Sequence, residues 1–99
     1  MGVVATAAVA IPAYATTHQI CTTDGARVCG TWEFGADWNN SVNYSYFFHP
    51  KIQHGSSVSN NKYGVVRSFC VKENHLSEAS EQLDTNGGNK AFYRACTVN

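Results

Sequence analysis

The sequence predicts an all-β protein, a small antiparallel β-sandwich stapled by disulfides. Val, Thr, Ser, Tyr, Phe and Trp are frequent while Leu occurs only twice, so helices of ordinary length are hard to build from this composition. Apolar and polar residues alternate in short runs separated by Gly, Pro and Asn turn signals, the pattern of half-buried strands. Four cysteines in a chain of 99 residues form an even set of the kind that cross-links small exported domains.

From Gly2 to Ala15 there is no charge, and Val3, Val4, Ala5, Ala7, Ala8, Val9, Ala10 and Ile11 make an apolar run. Ala13-Tyr14-Ala15 has the small-x-small pattern of a signal peptidase site. Residues 1–15 are therefore expected to be a signal peptide cleaved after Ala15, and residues 16–99 one mature domain. No Lys or Arg precedes the run, so the signal reads as truncated at its N-terminus. The run is too short to cross a hydrocarbon core of about 30 Å as a helix. Its competing reading is a buried strand or helix, for which Ala and Gly at that density offer little side-chain area.

Cys21, Cys29, Cys70 and Cys96 all lie beyond the expected cleavage position, and their pairing is open among three patterns. Cys21 and Cys29 flank Asp24-Gly25, which suggests a hairpin, but a two-residue turn there would set Cys21 opposite Val28 rather than Cys29. Zinc is disfavoured, because no pair has CxxC spacing and no compact Cys/His grouping occurs. Val28 to Phe34 alternates around Trp32 and ends at Gly35. Val42 to Phe48 puts Val42, Tyr44, Tyr46 and Phe48 on one face and is the clearest strand; Pro50 stops it. His54 to Ser59 reads as an edge strand with Asn60-Asn61 as its turn. Tyr63 to Val71 follows, one of its two faces being expected in the core. Over 75–83 the spacing of Leu76, Ala79 and Leu83 is that of a helical stripe. Gly87-Gly88 is a turn, and Ala91 to Val98 a last strand. Six or seven short strands amount to a sandwich or small barrel.

Seven basic and seven acidic residues leave the chain neutral. Neutrality argues against nucleic acid, whose binding needs a basic face. No polybasic or strongly amphipathic stretch exists to drive adsorption to anionic lipid, so any membrane contact is expected to run through a specific target.

Gly30-Thr31-Trp32-Glu33-Phe34-Gly35 resembles the Gly-Thr-Trp-x-aromatic/His-Gly opening of lactococcin 972-type bacteriocins. Tyr44-Ser45-Tyr46-Phe47-Phe48-His49 is similar to that family's Tyr-Ser-x-Tyr-x-His segment, and His54, Val58 and Asn60-Asn61 continue its His-x-x-x-Val-x-Asn-Asn pattern in register. Phe92-Tyr93 resembles the aromatic pair near the family's end. The resemblance covers about Gly30 to Cys96; the order and spacing of the motifs carry it, rather than any one of them. It implies an exported β-sandwich active against related Gram-positive bacteria, binding the cell-wall precursor lipid II and blocking septum formation rather than forming pores. An immunity membrane protein and an ABC transporter are the partners expected in its gene neighbourhood. It also implies a strand rather than a helix over 75–83, and that expectation is adopted. The four cysteines and the segment from Thr16 to Val28 depart from the family pattern and put target and spectrum in doubt.

Trp32, Trp38, Tyr44 and Tyr46 form a candidate aromatic platform for a saccharide or prenyl-pyrophosphate ligand, since their rings join an apolar face to a polar tip. The plainer alternative makes Trp32 and the Tyr44/Tyr46 face the core and leaves Trp38, in a polar loop, as the exposed contact. His49 and His54, with Pro50 between them, could hold a metal or, protonated, meet a pyrophosphate; a hydrogen-bonded pair on adjoining strands is the plainer reading. Lys51 and Arg67 could reach a phosphate or simply be solvated. No metal and no cofactor is expected. Enzymatic activity is not expected either, because no nucleophile elbow or other local catalytic signature is present. Two further function classes stand beside the bacteriocin: a non-toxic exported binding or adhesion module, and an inhibitor of a secreted enzyme.

Overall fold

Eight strands follow one another through the residues described by the computed structural model, which are 7–10, 15–23 and 25–96. They are β1 (Ala7–Ala10), β2 (Thr16–Cys21), β3 (Cys29–Asp37), β4 (Val42–Phe48), β5 (His54–Asn60), β6 (Gly64–Arg67), β7 (Leu76–Gln82) and β8 (Lys90–Ala95). Most of the expected signal peptide, Asp24 of the expected hairpin turn and Val98 of the expected last strand lie outside the described residues. Every pairing is antiparallel, in two four-stranded sheets of order β1-β8-β5-β6 and β2-β3-β4-β7. Their inner faces meet through Trp32, Phe47 and Tyr93, with Trp32–Tyr93 and Phe47–Tyr93 ring centroids 4.8 and 5.3 Å apart. The all-β sandwich expected from composition is the observed architecture.

Trp32, Phe34, Phe47 and Ala91 form the apolar centre, joined at its margin by Ile20 and Tyr93. So small a centre leaves much of the interior to polar groups, each of which needs a partner. The Trp32 indole N–H donates to Ser45 Oγ at 2.9 Å, and the Ser45 hydroxyl donates to the Phe92 carbonyl of the opposite sheet at 2.9 Å. Asn60 is a second hub. Its amide donates to the Gln82 carbonyl and to Asn89 Oδ1, while its own oxygen accepts the backbone N–H groups of Lys62 and Tyr63.

Polar partnering explains where the expected burial fails. On β4 the inward side is Asn43, Ser45 and Phe47, so the Tyr44/Tyr46 face is outward and only half-buried. Ser45 is required inside as the acceptor for Trp32, which leaves the two tyrosines on the outward side. The His54–Ser59 run is no edge strand: β5 lies between β8 and β6, and its Gly and Ser side chains are buried because they are small. The expected Tyr63–Val71 strand shortens to β6, an edge strand neither face of which is core, with Val65 63% and Phe69 90% exposed. Over 75–83 the helical stripe of Leu76, Ala79 and Leu83 is misleading. β7 is a strand that completes the ladder of β4, burying Ser77 and Ala79 and exposing Leu76, because pairing a sheet edge outweighs local periodicity.

Both disulfides are formed, Cys21–Cys29 and Cys70–Cys96. Cys21 and Cys29 are directly opposed across the β2–β3 ladder, which a two-residue turn at Asp24-Gly25 would not allow; the connection spans residues 22–28 and is closed by the Thr22 N–H donating to the Val28 carbonyl. Cys70–Cys96 ties the crossover after β6 to the end of β8.

Gly30 marks a close approach. A Cβ there would lie 2.3 Å from the Phe48 carbonyl oxygen and 2.9 Å from His49 Cα, both backbone atoms that cannot swing away. Gly30→Ala is therefore expected to destabilise the fold by about 1–3 kcal/mol, the usual cost of overpacking, measured by urea unfolding of the oxidised chain.

Candidate functional site

Of the aromatic residues that the sequence brings forward, Trp32 is in the core, and Tyr44 and Tyr46 are on the outer face of the β4 sheet. The ring centroids of Tyr44 and Tyr46 are 4.8 Å apart. Pairing sets Tyr46 opposite Glu33 of β3 and Glu78 of β7, and Tyr44 opposite Gly35 and Ser80. Tyr44 donates its hydroxyl to Glu33 Oε2 at 3.2 Å. Desolvation, with the Glu33 carboxylate beside it, pushes the Tyr44 phenol up to about 12. Tyr46 is also raised, by burial and by the charges of Glu78 and Glu33. Both phenols therefore keep their protons across the physiological range and remain donors.

Trp38 is in the turn that joins β3 to β4, just past the Asp37–Val42 pair. The Asp37 carboxylate shapes the turn by accepting the backbone N–H groups of Asn39 and Asn40 and the Asn40 side-chain amide. These bonds hold its carboxyl below the usual range. The indole is left 52% exposed. Aromatic faces beside Glu33, Asp37 and Glu78 suit a ligand with C–H faces and hydroxyl donors, such as a saccharide. Glu33 was not singled out from the sequence; its alternation with Trp32 and Phe34, which places it on the same side as Tyr46, is the signal that could have found it.

His49 and His54 are not on that face. Both are fully buried, 6.4 Å apart between ring centroids, at the corner where the chain passes between sheets. His54 Nδ1 and Nε2 face the carbonyls of Ile52 and His75 at 2.8 and 2.7 Å, and a neutral ring can donate to only one of them. His49 Nδ1 accepts the Lys51 backbone N–H, and its Nε2 is buried without a hydrogen-bond partner. Burial, reinforced by His54, lowers the His49 pKa against the opposing pull of the Ile20 backbone. The pair pins the 49–53 and 68–75 crossovers, which also bond directly through His54–Val71 and Asn74–His49 backbone contacts. Among the described residues no group of three or more His, Cys, Asp or Glu side chains is arranged to hold a metal.

Arg67 lies on β6, opposite Ser57 and on the outer face of the other sheet, so it is separated from Tyr44 and Tyr46 by the thickness of the sandwich. Arg94, which the sequence reading passed over, shares its face. The two outer faces thus differ in sign, with Glu33, Asp37 and Glu78 on the β4 sheet and Arg67, Lys90 and Arg94 on the β5 sheet.

Two titrations check this geometry. Absorbance titration at alkaline pH is expected to find one tyrosine ionising near 12, and Glu33→Gln to bring it down only in part, since desolvation is the larger cause. For His49 the folded ring resists the proton that the unfolded ring takes up at about pH 6.5. Stability is thus expected to fall on acidification below that value, by at most ~1.4 kcal/mol per pH unit from this group, and to fall less steeply in His49→Gln when denaturant unfolding is followed from neutral to mildly acid pH.

Compared with known protein families, residues 29–93 match the family described as Bacteriocin (Lactococcin_972). No curated protein and no solved structure matches the chain. The matched stretch starts at the first residue of β3 and ends within β8, taking in strands of both sheets but not β1 or β2, together with the buried histidine pair, Trp38, Tyr44 and Tyr46. With more than half of its length matched, and the motifs of that stretch accounted for by the core and crossovers, the chain belongs to the lactococcin 972 family of bacteriocins.

Proposed function

We propose that the chain is exported, cleaved after Ala15 with loss of β1 from the edge of its sheet, and stops the growth of related Gram-positive bacteria by binding the cell-wall precursor lipid II and blocking septum formation. The observation that carries this reading is the family match over residues 29–93. Its bacteriocin role is a binding role and needs no catalytic group. Two disulfides suit life outside the cytoplasm. The exposed indole of Trp38, and the outward Tyr44 and Tyr46 with Glu33 beside them, are the groups on which the saccharide part of such a precursor would lie. A cognate immunity protein and transporter belong to the same reading.

Applied to a panel of Gram-positive strains, the oxidised chain is expected to arrest growth and to bind lipid II in detergent or nanodiscs. Trp38→Ala is expected to keep the fold, because the indole is half-exposed, and to weaken lipid II binding about tenfold or more, the usual effect of removing an aromatic anchor. Surface binding without growth arrest would favour an adhesion module instead, and inhibition of a secreted protease or lysozyme would favour an enzyme inhibitor.

A further inference from the structure

The outer face of the β5 sheet holds a cavity of about 280 Å³ lined by Ser57, Val65, Arg67, Phe92, Tyr93 and Arg94. The strand at its floor, β5, contributes Gly55, Ser57 and Ser59 to this side, so the middle of the sheet is a trough between the larger side chains of β6 and β8. Gly55 is what lets Arg94 lie across it: a Cβ at that position would fall 2.5 Å from the Arg94 guanidinium carbon. Arg94 is fixed there by donating to the Ser56 and Ser68 carbonyls, to the Ser57 hydroxyl and to Cys70 Sγ, all uncharged acceptors. Among the described residues neither Arg67 nor Arg94 is paired with a carboxylate. Loss of solvent, and after it the charge of Arg67, disfavours the charged form of Arg94.

Two guanidinium groups thus share one cleft without a counter-charge, an arrangement that an anion of two negative charges would relieve and a monoanion would relieve only by half. The exposed guanidinium fork of Arg67 fits phosphate oxygens with paired N–H donors, while Arg94, whose terminal N–H groups are taken up within the fold, contributes its charge. Beside them, Val65 and Phe92 offer an apolar wall, and the volume is near the lower limit of small-molecule sites. We propose that the Arg67–Arg94 cleft binds the phosphate of an amphiphilic phosphate ester, with its apolar chain along Val65 and Phe92. The site stands apart from the lipid II reading, which rests on the family match and on Trp38, Tyr44 and Tyr46.

The test is titration of the full oxidised chain with hexyl phosphate, inorganic phosphate, hexanoate and hexanol, followed by calorimetry and by amide chemical shifts. Hexyl phosphate is expected to bind most tightly, inorganic phosphate and hexanoate more weakly, and hexanol least, with shifts centred on Ser57, Arg67 and Arg94. Arg67→Gln, at an exposed position, is expected to weaken hexyl phosphate binding at least about tenfold. Val65→Glu, which places a carboxylate beside Arg67 on an exposed strand, is expected to do the same without touching Arg94. Lys62→Gln, in the 61–63 turn, is expected to leave binding unchanged. The proposal is overturned by absence of hexyl phosphate binding, by equal binding of hexanol, or by unchanged affinity in both the Arg67 and Val65 variants. Growth inhibition is scored separately: a chain that binds hexyl phosphate but arrests no strain keeps the cleft and loses the bacteriocin reading, and the reverse result does the opposite.

Discussion

The indole N–H of Trp32, the hydroxyl of Ser45 and the carbonyl of Phe92 form a two-step relay running from β3 through β4 into the opposite sheet. A sandwich with so few large apolar residues inside cannot rely on area alone to fix how its layers sit. Directional bonds in a dry interior are strong and tolerate little displacement, so this relay sets the registration of the sheets that the apolar contacts then fill. It also fixes which way β4 faces. With Ser45 held inward, Tyr44 and Tyr46 must face outward, and the candidate binding surface follows from a bond in the core.

A second constraint operates at the corner where the chain changes sheets. Gly30 leaves room for the Phe48–His49 backbone, and the two ring nitrogens of His54 face one carbonyl from each crossover. The histidines of the family motif are in this sense structural: their rings bond to backbone where no strand partner is at hand. Asn60 does similar work at the other end of β5, bonding to β7 and to the turn before β8. Residues that would suggest chemistry in another setting here hold loops in place.

Fold class, the strand at 42–48, the disulfide-bonded state of the cysteines and the exposure of Trp38 could be read from residue types because each depends on local composition or on one side chain. What could not be read depended on partners far along the chain. Burial of the Gly-Ser strand β5 is invisible to a pattern that equates interior with apolar, since smallness and not hydrophobicity places it there. Leu76, Ala79 and Leu83 have the spacing of a helix, and only the unpaired edge of β4 makes 76–82 a strand. The candidate residues fall on three separate parts of the fold, and Arg94 escaped notice because its importance comes from lying over Gly55, some forty positions earlier.

A sum of charges near zero suggests a molecule indifferent to electric fields, yet the opposite signs on the two outer faces make this one a dipole aligned with the stacking of its layers. Close to a charged surface such faces would be attracted unequally. Orientation at encounter would then be decided by long-range forces that salt can screen, while the fold itself, held by short contacts, would be nearly insensitive to the same salt.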